Sequence, residues 1–293
     1  MSVCLELKSA QSPAPADRKW IAWAVSLLED KGHAAQPTTL IPLPLAEFPG
    51  VDLYLKDETS HPSGSLKHRL ARSLFLHGIC NGDIGPDTII VEASSGSTAI
   101  SEAWYARLLG LELIAVVPKT TAAAKLAEIE AAGGRLHLAE PGEDCCALAA
   151  SIAAGCNGHF MDQFTHAERV TDWRGNNNIA ESLFAQMENE PHPLPSWIVV
   201  GAGTGGTSAT LGRYIRLHPL LVKTRLCVVD PEGSAFFKGY KSDDRTVCGR
   251  ASRVVEGIGR PRVELSFMPR VIDMMLSVPD SASIAGARWI ANR

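Results

Sequence analysis

The chain has 293 residues, 45% of them hydrophobic and 20% charged, enough to bury a core as one large or two modest domains. Its 28 basic and 32 acidic side chains leave a formal net charge of -4, so there is no general attraction to nucleic acid or to an anionic membrane. No run reaches the roughly 20 apolar residues of a membrane span. The seven cysteines lack C-x-x-C spacing and the nine histidines make no H-E-x-x-H pattern, so the sequence predicts a reduced, cytoplasmic protein without a metal.

Residues 1–17 lack the basic and apolar regions of a signal peptide, and Gln11-Ser12-Pro13-Ala14-Pro15 reads as a loose arm. Residues 51–55 predict a strand. The turn Pro62-Ser63-Gly64-Ser65 then runs into a helix predicted over 67–76, with Lys67 in its first turn. A helix N-terminus carries unsatisfied N–H groups and a partial positive charge. A lysine there is disfavoured as a cation, and its amine is easier to keep neutral and nucleophilic. A lone lysine on an amphipathic helix is ordinarily a surface residue; two loops downstream change that reading.

The first loop lies between a strand predicted over 88–91 and a helix over 99–109. Its residues Ser94, Ser95, Gly96, Ser97 and Thr98 are small and mostly hydroxylic, more than a helix cap requires. A strand, a polar loop and a helix start make an anion site from N–H groups and hydroxyls. A strand over 112–117, a helix over 121–132 ending at Gly133-Gly134, a strand over 135–138 and a helix over 144–154 follow. The helix carries the adjacent Cys145 and Cys146, one of which is expected to face the core. A polar, proline-rich connection covers 189–195. Beyond it come a strand over 197–200, the glycine stretch Gly201-Ala202-Gly203-Thr204-Gly205-Gly206-Thr207 and a helix over 208–217. Gly201, Gly203 and Gly206 also satisfy the dinucleotide fingerprint G-x-G-x-x-G, with Asp230 ending a strand over 226–229. Such fingerprints usually open their domain, and this one comes late, after a lysine turn and a hydroxyl loop that a dehydrogenase does not need. The alternation of strands and helices predicts parallel sheets covered by helices on both faces.

Taken in order, Pro-Ser-Gly-Ser-Leu-Lys67, Ser94-Ser95-Gly96-Ser97-Thr98, Asp162-Gln163-Phe164, Gly203-Thr204-Gly205-Gly206-Thr207, Asp230-Pro231-Glu232-Gly233-Ser234 and Glu256-Gly257-Ile258-Gly259 resemble the fold type II pyridoxal-phosphate enzymes of the cysteine synthase and cystathionine β-synthase family. Within it, the Ser-Ser-Gly-Ser-Thr loop and the Gly-Ile-Gly-Arg-Pro-Arg stretch are most similar to bacterial L-cysteine desulfhydrases. The resemblance implies two open, parallel-sheet, three-layer α/β domains of the tryptophan synthase β type, with pyridoxal 5'-phosphate in the cleft between them. Residues 46–170 would carry the lysine and the substrate loop. Residues 1–45 with 171–293 would carry the phosphate loop. It also implies a homodimer.

For the site, the resemblance implies that Lys67 anchors the cofactor as a Schiff base and then takes the Cα proton of an amino acid. Ser97, Gly203, Thr204, Gly205, Gly206, Thr207 and Gly257 would contact the cofactor. Ser94, Ser95, Gly96, Thr98 and Gln163 would hold the substrate. The implied reaction is β-elimination on L-cysteine, giving sulfide, pyruvate and ammonia, with β-replacement or cofactor binding without turnover as alternatives. Three departures from the family stand out. Ser97 replaces the usual asparagine of cysteine synthases, which favours a relative of different reaction preference. Thr165-His166-Ala167-Glu168-Arg169 replaces an Asn-Pro-Ala-Asn-Pro segment. The sequence ends at Arg293, short of the region where the family places a serine or threonine facing the pyridine nitrogen.

Overall fold

The computed structural model describes residues 15–34, 37–250 and 254–292; the arm read at 11–15 lies outside them apart from Pro15, which opens a helix. The elements in chain order are α1 (Pro15–Ala34), β1 (Leu40–Pro42), β2 (Tyr54–Lys56), α2 (Lys67–Asn81), β3 (Ile89–Glu92), α3 (Ser97–Leu109), β4 (Leu113–Pro118), α4 (Ala123–Ala132), β5 (Arg135–Ala139), α5 (Cys145–Gly155), β6 (Gly158–Phe160), α6 (Gln163–Val170), α7 (Ile179–Met187), β7 (Trp197–Gly201), α8 (Gly206–Leu217), β8 (Arg225–Pro231), α9 (Ala235–Ser242), β9 (Met274–Val278) and α10 (Asp280–Ala291).

Two parallel sheets carry the molecule, one in the order β5-β4-β3-β6 and one in the order β7-β8-β9, beside a small antiparallel β1-β2 pair. The strand predicted over 51–55 shrinks to Tyr54–Lys56, because Val51 and Leu53 stay exposed on the hairpin. Strand β4 reads Leu-Ile-Ala-Val-Val-Pro and is buried along all but its last residue, as a central parallel strand covered on both faces must be. On one face Ile90, Leu113, Ala115 and Val117 pack with Leu74, Phe75 and Ile79 of α2 and Ala103 and Tyr105 of α3. On the other, Val91, Ile114 and Val116 pack with Ala149 and Ala153 of α5. The second sheet buries Ile198, Leu226 and Val228 with Leu211 and Ile215 of α8 and the stacked rings of Phe236 and Phe267, 4.3 Å apart.

Helix α1 seats Ala24 and Leu28 in the first of these cores, and Arg72 Nε of α2 donates to the Leu28 carbonyl at 3.2 Å. The resemblance grouped residues 1–45 with the second sheet. The apolar face of α1 is satisfied by α2 instead. Further along, Lys56 Nζ donates to Ser182 Oγ at 3.0 Å and Gln186 Oε1 at 2.6 Å on α7, and Arg69 Nη1 donates to the Asn177 carbonyl at 2.6 Å. These bonds hold the lysine-bearing turn against the segment leading into the second sheet. Among the described residues no helix is long and apolar enough to cross a membrane, and the cysteines Cys80, Cys145, Cys146, Cys156, Cys227 and Cys248 are free thiols.

Candidate active site

Lys67 is the first residue of α2, directly after the turn at Leu66. Burial lowers its pKa. The N-terminal position on α2 acts in the same direction. The lysine lines a cleft of about 770 Å³ together with Ser94, Ser95, Gly96, Ser97, Thr98, Gln163, Gly203, Thr204 and Gly257. Five separate parts of the chain therefore line one cleft. Gly206 and Thr207 line a smaller cavity of about 70 Å³ on the other side of Lys67, which Thr204 also borders. Gly205 lines neither. Its φ is +96°, and a Cβ there would lie 2.6 Å from the Phe267 Cα, so its small size serves backbone packing.

The substrate loop is built from the end of β3. Gly96 is extended and precedes α3, and its N–H donates to Ser94 Oγ at 3.3 Å. Ser97 is exposed at the first position of the helix, whereas Thr98 is buried and donates its hydroxyl to Gln163 Oε1 at 2.7 Å. Gln163 reaches this place because Asp162 adopts φ +45° and caps α6 by accepting from the Thr165 N–H. Two residues that the sequence reading missed support the loop from below. Glu92 accepts from the Ala93 N–H at 2.7 Å and from the Gln163 N–H at 3.2 Å. Glu102 lies beside it, and both are fully buried. The available signal was spacing: Glu102 follows Thr98 by one helical turn and shares its face.

Behind Lys67 the side chain of His68 is fixed between Ser63 Oγ and Tyr105 Oη, 2.9 Å from each. Burial first, then His61, Arg69 and Arg72, push its pKa down to about 3, so the ring is neutral. Cys145 and Cys146 are both half-buried; both pack against the core beneath α5, where one was expected to face it, and both line the cleft. Burial pushes the Cys146 thiol up to about 11, which makes it a poor nucleophile.

The glycine stretch fits a phosphorylated group. A Cβ on Gly203 would sit 2.1 Å from the Gly257 carbonyl oxygen, and the Gly259 N–H donates to the Ala202 carbonyl at 2.8 Å. Two loops thus meet as bare backbone and form a flat wall. The N-terminus of the 12-residue helix α8 opens beside it with the hydroxyls of Thr204 and Thr207, and such a terminus suits an anion. Asp230, the acid the dinucleotide fingerprint would require for a ribose, is fully buried and accepts the Phe237 N–H at 2.9 Å as a cap for α9. It does not line the cleft.

Comparison with known proteins agrees with this geometry. Residues 33–293 match the family model described as pyridoxal-phosphate dependent enzyme. The chain is 57% identical over 278 residues, 94% of its own length and 75% of the relative's, to L-cysteine desulfhydrase Cds1 of Mycobacterium tuberculosis (strain ATCC 25177 / H37Ra). It is 28% identical to cysteine synthase B of Campylobacter jejuni over 83% of this chain and 77% of that one. The fold matches the crystal structure of a hydrogen sulfide-producing enzyme from Fusobacterium nucleatum with a TM-score of 0.76 at 21% identity, covering 97% of this chain and 85% of that one. It matches O-ureido-L-serine synthase with a TM-score of 0.77 at 23% identity, over 89% and 79% of the two chains.

Proposed function

We propose that this chain, which belongs to the pyridoxal-phosphate dependent enzymes and takes pyridoxal 5'-phosphate as its cofactor, eliminates sulfide from L-cysteine and, with one water, leaves pyruvate and ammonia. The observation that carries the reading is the shared cleft. A half-buried lysine of lowered pKa shares one cleft with the hydroxyl loop, its Thr98–Gln163 pair and the glycine wall. The 57% identity to a protein named L-cysteine desulfhydrase supports the choice of substrate.

The bound cofactor supplies an electron sink for the charge left when the Cα proton departs. The chain does the rest. Lys67 anchors it and holds the proton at Nζ, a role that needs an amine neutral near working pH; burial provides that. Thr204, Gly205, Gly206 and Thr207, at the start of α8, would hold the cofactor's phosphate through N–H groups and hydroxyls, and Gly203 and Gly257 would contact the cofactor through bare backbone. Ser94, Ser95, Gly96, Thr98 and Gln163 would hold the substrate carboxylate, and Ser97, which lines the same cleft, would contact the cofactor. The two sheets form units of residues 46–170 and 171–293, with α1 on the first. The assembly is a homodimer in the cytoplasm.

The test is Lys67→Ala, assayed for sulfide release from L-cysteine and for the visible absorption of added pyridoxal phosphate. Loss of both with an unchanged far-ultraviolet circular dichroism spectrum is expected. Sulfide release at the wild-type rate sinks the assignment, and a strict need for a second nucleophile would point to β-replacement.

A further inference from the structure

Glu92 and Glu102 form a buried carboxyl pair that the chemistry above does not use. Glu92 closes β3 and spends its oxygens on the N–H groups of Ala93 and Gln163. Glu102 stands on α3 one turn beyond Thr98, and among the described residues no N–H donor reaches either of its oxygens. The group it faces is the Glu92 carboxyl. The other titratable groups near Glu92 are Asp162, ahead of α6, and the Cys146 thiol on α5. Beyond Cys146 lie the guanidinium groups of Arg262, 3.9 Å from its sulfur, and of Arg260. No lysine or arginine among the described residues pairs with either glutamate. Two carboxylates in contact, out of water and without a cation, do not both ionise.

We propose that Glu102 is a positioning residue: it keeps a proton at neutral pH and donates it to Glu92, so that the pair holds the Gln163 and Ala93 N–H groups with no more than one negative charge. Burial raises the pKa of both groups, and the charge of Glu92 raises that of Glu102 further. The inference rests on the reading of Thr98 and Gln163 as contacts to the substrate carboxylate. A second charge beneath them would repel that carboxylate and would split Glu92 from Glu102. Substrate affinity is therefore expected to fall as the shared proton leaves at alkaline pH.

Three variants decide it. Glu102→Gln keeps a donor to Glu92, and Glu102→Leu and Glu92→Gln remove the anion–donor pairing from either side. The infrared spectrum of the cofactor-free protein at neutral pH is expected to lose one protonated-carboxyl stretch in Glu102→Gln. With the loaded enzyme, KM for L-cysteine in Glu102→Gln should stay within about twofold of wild type and lose its alkaline rise. In Glu102→Leu and Glu92→Gln it should rise about tenfold with a smaller change in kcat. An infrared spectrum unchanged by Glu102→Gln overturns the proposal, as does a wild-type KM in Glu102→Leu. If Glu102→Leu fails to fold, Glu102→Gln and Glu92→Gln still decide. If L-cysteine is not the substrate, the infrared result stands by itself and separates that failure from this one.

Discussion

A fully buried carboxyl destabilises a fold most when it is charged, and Asp230 is such a group. Burial pushes it up to about 6, against the opposing pull of the Phe237 N–H and the Ser234 hydroxyl. An unfolded aspartate titrates near ~3.9, so the native state binds the proton more tightly. The stability this contributes is complete below about pH 4 and is lost as pH rises through about 6. Asp230→Asn, which keeps an acceptor for Phe237 and never charges, should therefore stabilise the protein at pH 8 relative to pH 4. A shift of this size corresponds to up to about 3 kcal/mol. Denaturant melts of both proteins at the two pH values measure the difference; an effect independent of pH would refute it. The same residue shows what the sequence could and could not reveal. Asp230 followed a glycine fingerprint at the spacing of a ribose-binding acid, and only the folded chain turns its carboxyl onto α9. Lys67 was legible because its turn and the partner loops each carry a pattern. Glu92 and Glu102 were not, because a glutamate at a strand end or on a helix reads as a solvated acid until packing buries it.

At the scale of single elements, the glycine loop does two jobs, and the structure separates them. Gly205 approaches the Phe267 Cα and the Ser266 carbonyl so closely that an added Cβ would lie 2.6 and 2.8 Å away, and its backbone is left-handed. Neither neighbour is a flexible side chain tip, so Gly205→Ala must displace the strap that carries Phe267 into the second core. A loss of about 2–4 kcal/mol is expected in the cofactor-free protein. Gly257 is also left-handed, at φ +79°, but meets nothing within 4 Å. Gly257→Ala should cost only the backbone strain of about 1–2 kcal/mol. Thermal melts of both cofactor-free variants test the contrast, which equal melting temperatures would remove. The glycines of this loop read as a nucleotide or phosphate fingerprint, and the family resemblance made it a phosphate loop. The sequence could not show that Gly203 and Gly205 also accommodate backbone from the 257 and 266–267 segments, since those contacts are distant in sequence. Elements of three residues, such as β1 and β6, were likewise too short to carry a period.

For the whole molecule, alternating strands and helices were enough to predict parallel sheets, whereas the seat of α1 on α2 depended on which apolar faces were left open to it. What the alternation does not encode is how the two sides of the cleft are held. Among the described residues, ion pairs that cross it include Lys125 Nζ to Glu256 Oε1 at 2.6 Å and Arg262 Nη1 to Asp144 Oδ2 at 3.7 Å. They join α4 and the start of α5, on the first sheet, to the segment around Gly257 and Arg262. Glu256 is exposed and Lys125 partly so, and pairs near the surface contribute about 0.2–1 kcal/mol each. Energies of that size are small beside the stability of the fold but are enough to bias an opening of the cleft. Lys125→Ala should therefore raise KM for L-cysteine by about two- to fivefold, the factor equivalent to up to ~1 kcal/mol, with the melting temperature unchanged. Added salt screens exposed pairs, so wild type at high ionic strength should approach the variant, and the variant itself should respond less. A KM indifferent to both the substitution and salt would make the pairs bystanders. A parallel fall in melting temperature would mean that they hold the fold together and leave the opening of the cleft unchanged.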